Sequence, residues 1–175
     1  GTMTALLAEH GHVTAVEPSA RGAAQLRERF GADPRVDVVE GKLQDGAGQD
    51  FDAAVLINVL EHVDDHVGML RDIADRLRPG GTLAIFVPAH EWLYSDFDRR
   101  IGHVRRYRLA TLQEALDRAG YDVEVLRYVN LPGALAWLGG VRFAGLSPTP
   151  GLVSSYEKVI LPAISRIEAR RAIPF

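Results

Sequence analysis

The stretch Phe51-Asp-Ala-Ala-Val-Leu-Ile-Asn-Val-Leu-Glu-His62 constrains the fold more than any other part of this chain. Ala53–Ile57 is an unbroken apolar run. It is too short for a helix and lacks the polar alternation of a strand with one wet face, so it predicts a strand buried on both faces. Strands of that kind belong to parallel sheets covered by helices on both sides, where ligands bind outside the carboxyl ends of the strands. Asn58, Val59, Glu61 and His62 lie at that end. Apolar packing alone gives no reason for a strand to finish in Asn, Glu and His, so chemistry is expected there.

Strands and helices alternate on either side. His12–Glu17 reads as a strand that ends in a carboxylate and is stopped by Pro18-Ser19. Ser19 is a suitable N-cap for a helix over about 20–30, with Ala23, Leu26 and Phe30 on one face and Gly31 at its end. Val36–Glu40 is a short strand before Gly41. A helix is predicted from about Asp64 to Arg78, with Val67, Leu70, Ile73, Ala74 and Leu77 buried. Pro79-Gly80-Gly81 breaks it, and Thr82–Val87 is a further apolar strand. His90–Arg108 has no periodicity and accumulates Trp92, Tyr94, Asp96, Asp98, Arg99, Arg100, His103, Arg105, Arg106 and Tyr107, which predicts a functional loop. A helix over about 110–119, ended by Gly120, leads into a strand over Tyr121–Val129 with Val123 and Val125 inward. A last helix, kinked at Pro162, is expected over Val153–Arg170. This alternation predicts a doubly wound, mostly parallel α/β sheet.

With 175 residues, 47% of them hydrophobic and 25% charged, the chain is long enough for one sizeable core. The formal charge of -3 gives no bulk attraction to nucleic acid, and no nucleic-acid partner is expected. There is no cysteine, which removes disulfides, thiolate metal sites and cysteine nucleophiles and fits a cytoplasmic protein. The most apolar segment, Leu131–Leu146, is interrupted by Pro132, Gly133, Gly139, Gly140 and Arg142, so it does not read as a membrane span. With Trp137 and Phe143 it reads as a wall for an apolar acceptor, a peripheral membrane contact, or a surface that packs against more of the protein.

A strand that ends in an acidic residue, about 16 positions after a glycine that opens a helix, is half of a nucleoside-binding arrangement. The carboxylate of Glu17 can accept two hydrogen bonds from vicinal ribose hydroxyls, although a solvated Glu at a strand end has the same sequence. Four motifs extend this half-pattern: Gly1-Thr-Met-Thr, Val13-Thr-Ala-Val-Glu17-Pro-Ser, Phe51-Asp-Ala-Ala-Val to Asn58-Val-Leu-Glu-His62-Val, and Arg78-Pro-Gly-Gly-Thr-Leu. In this order and spacing the chain resembles the class I S-adenosylmethionine-dependent methyltransferases over about residues 1–130, with 131–175 as a C-terminal helical segment. The resemblance implies a Rossmann-like sheet holding S-adenosylmethionine, with Gly1 and Thr2 beside the methionine moiety and Glu17 and Pro18 at the ribose. It also implies Leu43 by the adenine, and Asn58 and Val59 near the sulfonium. Lys42 stands where the family often has an acidic residue, which leaves adenine recognition to the backbone at Leu43 or to Asp45. Gly102-His103-Val-Arg105-Arg106-Tyr107 is similar to the Gly-His-x-Arg-Arg-Tyr segment of one subgroup.

Methyl transfer needs a general base only where the acceptor keeps its proton at neutral pH. His62 and His103 are the candidate bases, against a structural role for His62 at the start of the following helix. Arg105 and Arg106, with Trp92 and Tyr107, are the candidate acceptor-binding residues. The arginines either fork onto a phosphate or carboxylate or pair with Asp96 and Asp98 to pin the loop as a lid. No metal site is expected, because His90, Glu91 and His103 lack a ligand spacing. The expected function is methylation of a small-molecule or lipid-like acceptor. Its rivals are an NAD-dependent oxidoreductase, since Glu17 can also hold an NAD ribose, and a non-catalytic partner-binding module on the same scaffold. The family's first strand would precede Gly1 and its last would follow Phe175, so the chain is expected to be a fragment whose sheet lacks a central strand. Strands beside such a gap expose unpaired donors and acceptors, and the isolated 175-residue chain should therefore be poorly stable on its own. A sharp thermal transition followed by circular dichroism at an ordinary mesophile temperature would contradict this.

Overall fold

The computed structural model describes residues 1–45 and 48–129, which fall into two compact units. One comprises Gly1–Ala54 and Asp72–Thr82, the other Val55–Arg71 and the described part of Leu83–Phe175. In chain order the elements are α1 (Thr2–Leu7), β1 (Val13–Glu17), α2 (Ala20–Phe30), β2 (Val36–Glu40), β3 (Phe51–Ile57), α3 (His66–Ala74), β4 (Leu77–Phe86), α4 (Asp96–Arg100) and α5 (Leu109–Arg118). Single 3-10 turns lie at Leu43–Asp45, Leu60–His62 and Glu91–Leu93. Strand and helix alternate as expected for a Rossmann-like α/β fold.

In the first unit β1 and β2 run parallel, Val13 opposite Val36 and Glu17 opposite Glu40. Ser19 caps α2 as its position predicts, its hydroxyl accepting the Gly22 N–H at 3.2 Å. The inward face of α2 supplies Phe30, which packs with Ala8 and Val36 and, around them, Ala5, Val13, Leu26 and Val38. That face follows from the spacing of Ala23, Leu26 and Phe30 along the helix. Gly31 ends α2, its N–H bonding the Arg27 carbonyl.

β3 and β4 form a second two-stranded sheet. Phe51 N–H bonds the Arg76 carbonyl and Asn58 N–H the Phe86 carbonyl, so the two strands run in the same direction. This register corrects two expectations. Arg76 already pairs beside Phe51, so α3 stops at Ala74, and Leu77 belongs to β4 rather than to the helix. Pro79-Gly80-Gly81 therefore lies inside β4, with Gly80 at φ +78. A Cβ on Gly81 would lie 2.9 Å from the Arg78 carbonyl oxygen and 3.2 Å from that of Asp52, which is why glycine stands there.

β3 is not buried on both faces. Leu56 is buried while Val55 is 39% and Ile57 36% exposed. Among the described residues β3 has β4 as its hydrogen-bonded strand partner and no second one, which leaves its other edge unpaired. Tyr121–Val129 forms no strand, and Val125 is 75% exposed rather than inward. The expected loop over 90–108 instead carries α4 and a 3-10 turn. Helix α5 buries Leu112, Ala115 and Leu116 as expected. No helix among the described residues is long and apolar enough to cross a membrane. The segments 131–146 and 153–170 lie outside the described residues.

Phe30 is the largest side chain in the cluster that joins α2 to β1 and β2. Phe30→Ala should cost about 3–5 kcal/mol. A urea denaturation series should show this as a lower midpoint at unchanged slope, and a loss below about 1 kcal/mol would show that this cluster does not hold the unit together.

Candidate functional site

The first unit carries Gly1, Thr2, Glu17, Pro18 and Leu43. Glu17 ends β1, and its Oε1 accepts the Ser19 N–H at 2.9 Å. The carboxyl group lies so close to the start of α2 that a Cβ on Gly22 would meet its Cδ at 2.7 Å. A carboxylate has about four lone-pair sites, so one held by a single N–H retains acceptors for two vicinal hydroxyls. Gly41 N–H bonds the Glu17 carbonyl, tying the ends of β1 and β2 together. Asp45 Oδ2 accepts the Lys42 N–H at 2.7 Å, which closes the turn on which Leu43 sits and engages the carboxylate otherwise available to an adenine.

The second unit carries Asn58, Val59, His62, Trp92, His103, Arg105, Arg106 and Tyr107. Asn58 follows β3 at φ +51 and His90 follows β4 at φ +64, both in the left-handed region. Such backbone persists only where neighbours hold it, at about 1–3 kcal/mol each. Here the Asn58 N–H is held by Phe86 and the His90 N–H by the Tyr107 carbonyl. Both residues line an open cavity of about 820 Å³, together with His62, His103, Arg106 and a largely apolar wall that includes Phe86 and Leu112. His90 stacks on Tyr128 with ring centroids 4.5 Å apart. Trp92 is exposed and lies 5.7 Å from His90.

Asp98 is the hub of the charged side chains. It is fully buried, its Oδ2 accepts the Ser95 N–H and hydroxyl at 2.9 Å, and Arg106 forks onto both of its oxygens at 2.8 and 3.1 Å. His103 Nδ1 lies 2.9 Å from Asp98 Oδ1, and its Nε2 lies 3.7 Å from Glu61 Oε1. Burial pushes the Asp98 carboxyl up, but the hydrogen bonds from Arg106, His103 and Ser95 outweigh it and hold the carboxyl below its ordinary value. Burial also raises the Glu61 carboxyl above its ordinary value.

The Gly102–Tyr107 segment is fastened residue by residue. Arg105 donates to the carbonyls of Val63 and Asp64 at 2.5 and 3.0 Å. Tyr107 is buried, donates to the Leu60 carbonyl at 3.3 Å and accepts from His66 Nδ1 at 2.8 Å. His62 Nδ1 donates to the Gly102 carbonyl at 3.0 Å. Arg99 pairs with Asp96. Of the two roles open to the arginines from sequence, these contacts give Arg106 its pairing with Asp98 and tie Arg105 to backbone carbonyls. Sequence reading placed Glu61 at a strand end without a role and offered Asp98 only as a lid partner. The Asp-x4-His spacing of Asp98 and His103 is the signal that joins them in one turn of α4 and its exit.

Residues 1–83 match the family model described as "Methyltransferase domain". That match covers a little less than half of the chain, and the chain's fold is similar to that of methyltransferases of known structure. N-methyltransferase NodS from Bradyrhizobium japonicum, in complex with S-adenosyl-L-homocysteine, is 22% identical with a TM-score of 0.52, over 68% of this chain and 59% of NodS. Haemonchus contortus phosphoethanolamine N-methyltransferase 2, in complex with S-adenosyl-L-methionine, is 18% identical with a TM-score of 0.57, over 86% of this chain and 39% of that enzyme. The [4+2]-cyclase SpnF is 25% identical with a TM-score of 0.54, over 67% of this chain and 46% of the cyclase. The chain thus spans about half the length of such structures. No curated protein matches it.

Asp98→Ala should cost roughly 3–5 kcal/mol, because it strands a buried guanidinium without its main counter-charge. A carboxyl held low when folded stabilises the protein above its unfolded value, near pH 3.9, and that stability is lost as pH falls through the lower folded value. Wild type should therefore lose stability below about pH 4 along a segment that Asp98→Asn lacks, as melting temperature against pH will reveal. Coincident profiles for the two proteins would remove the Asp98 network as a source of acid lability.

Proposed function

We propose that the chain is the cofactor-binding part of a methyltransferase that methylates a small-molecule or lipid-like acceptor held in the cavity beside Asn58 and His103. The observation that carries this reading is the match of residues 1–83 to a methyltransferase domain, which contains both Glu17 and the Asn58-to-His62 strand end. S-adenosylmethionine, as bound in the Haemonchus enzyme, supplies an electrophilic methyl group and leaves as a neutral thioether. The fit is chemical: Glu17 offers acceptors for ribose hydroxyls, Gly1, Thr2 and Pro18 offer backbone, Leu43 an apolar edge, and Asn58 and Val59 the end of β3. Residues 1–130 form this core on our reading.

The acceptor's place is the 820 Å³ cavity, whose apolar wall suits an apolar body and whose polar side chains include Asn58, His62, His103, Arg106 and Arg127. Methyl transfer is an in-line displacement, so holding the acceptor supplies much of the catalysis. An acceptor that keeps its proton at neutral pH would release it at the His62 and His103 side of the cavity. Each of these rings already donates its Nδ1–H to an oxygen, which leaves Nε2 as the atom with a free electron pair. Arg105, Arg106 and Tyr107 act on this reading by positioning that wall. Trp92, exposed and 5.7 Å from the cavity residue His90, contacts the part of the acceptor that extends beyond the cavity.

The cyclase SpnF shares the fold, so cofactor binding and methyl transfer are tested separately. Calorimetric titration of folded protein with S-adenosylhomocysteine and with NADH should give micromolar binding of the first alone. Glu17→Ala should weaken it roughly 10- to 100-fold, the worth of hydrogen bonds to a charged acceptor. Binding of NADH instead would turn the reading to an oxidoreductase, and binding of neither to a partner-binding module.

A further inference from the structure

We propose that Glu61, His62 and His103 form a site for one divalent metal ion of the zinc type at the wall of the cavity. One ligand atom from each lies within 4.8 Å of the others. Both histidines are oriented as metal ligands are: the Nδ1 of His103 lies against the Asp98 carboxylate at 2.9 Å and that of His62 against the Gly102 carbonyl at 3.0 Å. Those oxygens can only accept, so each Nδ1 holds the proton and each Nε2 keeps a lone pair.

Glu61 supplies the independent observation. It is 0% exposed, and among the described residues neither carboxylate oxygen takes part in a hydrogen bond. A buried carboxylate left in that state is costly unless a cation meets it. Its Oε1 faces His103 Nε2 across 3.7 Å, two electron-pair donors with room for something positive between them. Ligands bound at about 2.0–2.1 Å around a tetrahedral ion stand about 3.4 Å apart. The Glu61–His103 pair, at 3.7 Å, is close to that spacing, and the widest pair, within 4.8 Å, closes by side-chain movement of up to about 1.4 Å.

Two imidazoles and one carboxylate suit zinc and its neighbours, whereas magnesium and calcium take oxygen ligands. Three protein ligands leave a fourth position open, and His62 and His103 both line the cavity, so that position faces it. On the methyltransferase reading, the open position would take the acceptor's hydroxyl and ease loss of its proton to solvent in the open cavity, and with the metal bound His62 and His103 would serve as ligands in place of bases. Metal binding itself does not depend on that reading. Sequence spacing missed the site because Glu61-His62 and His103 come from separate segments that the fastening of Gly102–Tyr107 brings together.

The test is titration of chelator-treated, dialysed protein with Co2+, followed by visible absorption, with Zn2+ as competitor. One equivalent of Co2+ should bind with the intense absorption of a four-coordinate site and be displaced by Zn2+. Glu61→Gln and His103→Ala should weaken uptake at least about tenfold, and His12→Ala, on the surface of the other unit, should not. His62→Ala keeps the test decisive if a buried variant misfolds, because that ring is exposed and its loss leaves the core intact. It too should abolish the four-coordinate spectrum. No stoichiometric uptake by wild type, or uptake unchanged in His62→Ala, overturns the site and leaves a proton shared by Glu61 and His103 in its place. Binding of S-adenosylhomocysteine in the same samples separates the two ideas. Cofactor without Co2+ sinks the metal site alone, and Co2+ without cofactor sinks the methyltransferase reading alone.

Discussion

The arrangement of the second unit depends on one buried carboxylate. Asp98 has no access to solvent, so its charge persists only with partners, and each partner draws in a different stretch of chain. Ser95 fixes the start of α4, His103 fixes the exit from it, and Arg106 closes the fork from beyond. The residues beside Arg106 are then carried to fixed places. Arg105 reaches the carbonyls of Val63 and Asp64, and Tyr107 reaches Leu60 and His66. A segment without periodicity is thereby as determined as a helix, through side chains rather than backbone repeats.

The same fastening supports the strained backbone at the cavity. His90 sits at positive φ because its N–H is bound to the Tyr107 carbonyl, while Tyr107 N–H is bound to Pro88. Asn58 is held in the same way at the end of β3 by Phe86. Asn tolerates the left-handed region better than most residues, and His is among the few others enriched there. Two such positions at neighbouring strand ends, both lining the cavity, are where stored strain accompanies function.

The alternation of strands and helices was legible in the sequence because it rests on local patterns: Ser19 before α2, the acidic end of β1, the apolar run of β3. What was illegible depended on partners. The apolar run of β3 cannot say which of its faces is covered, and Val55 and Ile57 are not. The end of α3 was misplaced because the pairing of Arg76 with Phe51 overrides a helical pattern that continues to Leu77. Tyr121–Val129 has strand-forming residues but no ladder to join. In the site, His62 and His103 stood out by residue type, whereas Glu61 gains significance only from burial that spacing does not encode.

These contacts bear on where acceptor selectivity resides. Arg105 and Arg106 spend their donors on Val63, Asp64, Ala89 and Asp98, so an anionic acceptor would have to compete with contacts that hold the wall in place. Phe86, Ile101, Leu109 and Leu112 line the same cavity with apolar side chains that take no part in these contacts. Exchange of one of these side chains alters shape without disturbing the Asp98 network, whereas exchange of Arg106 alters both. Selectivity for the acceptor can therefore vary along the apolar wall while the charged segment stays fixed, which is the division of labour expected of a site carried on a rigid scaffold.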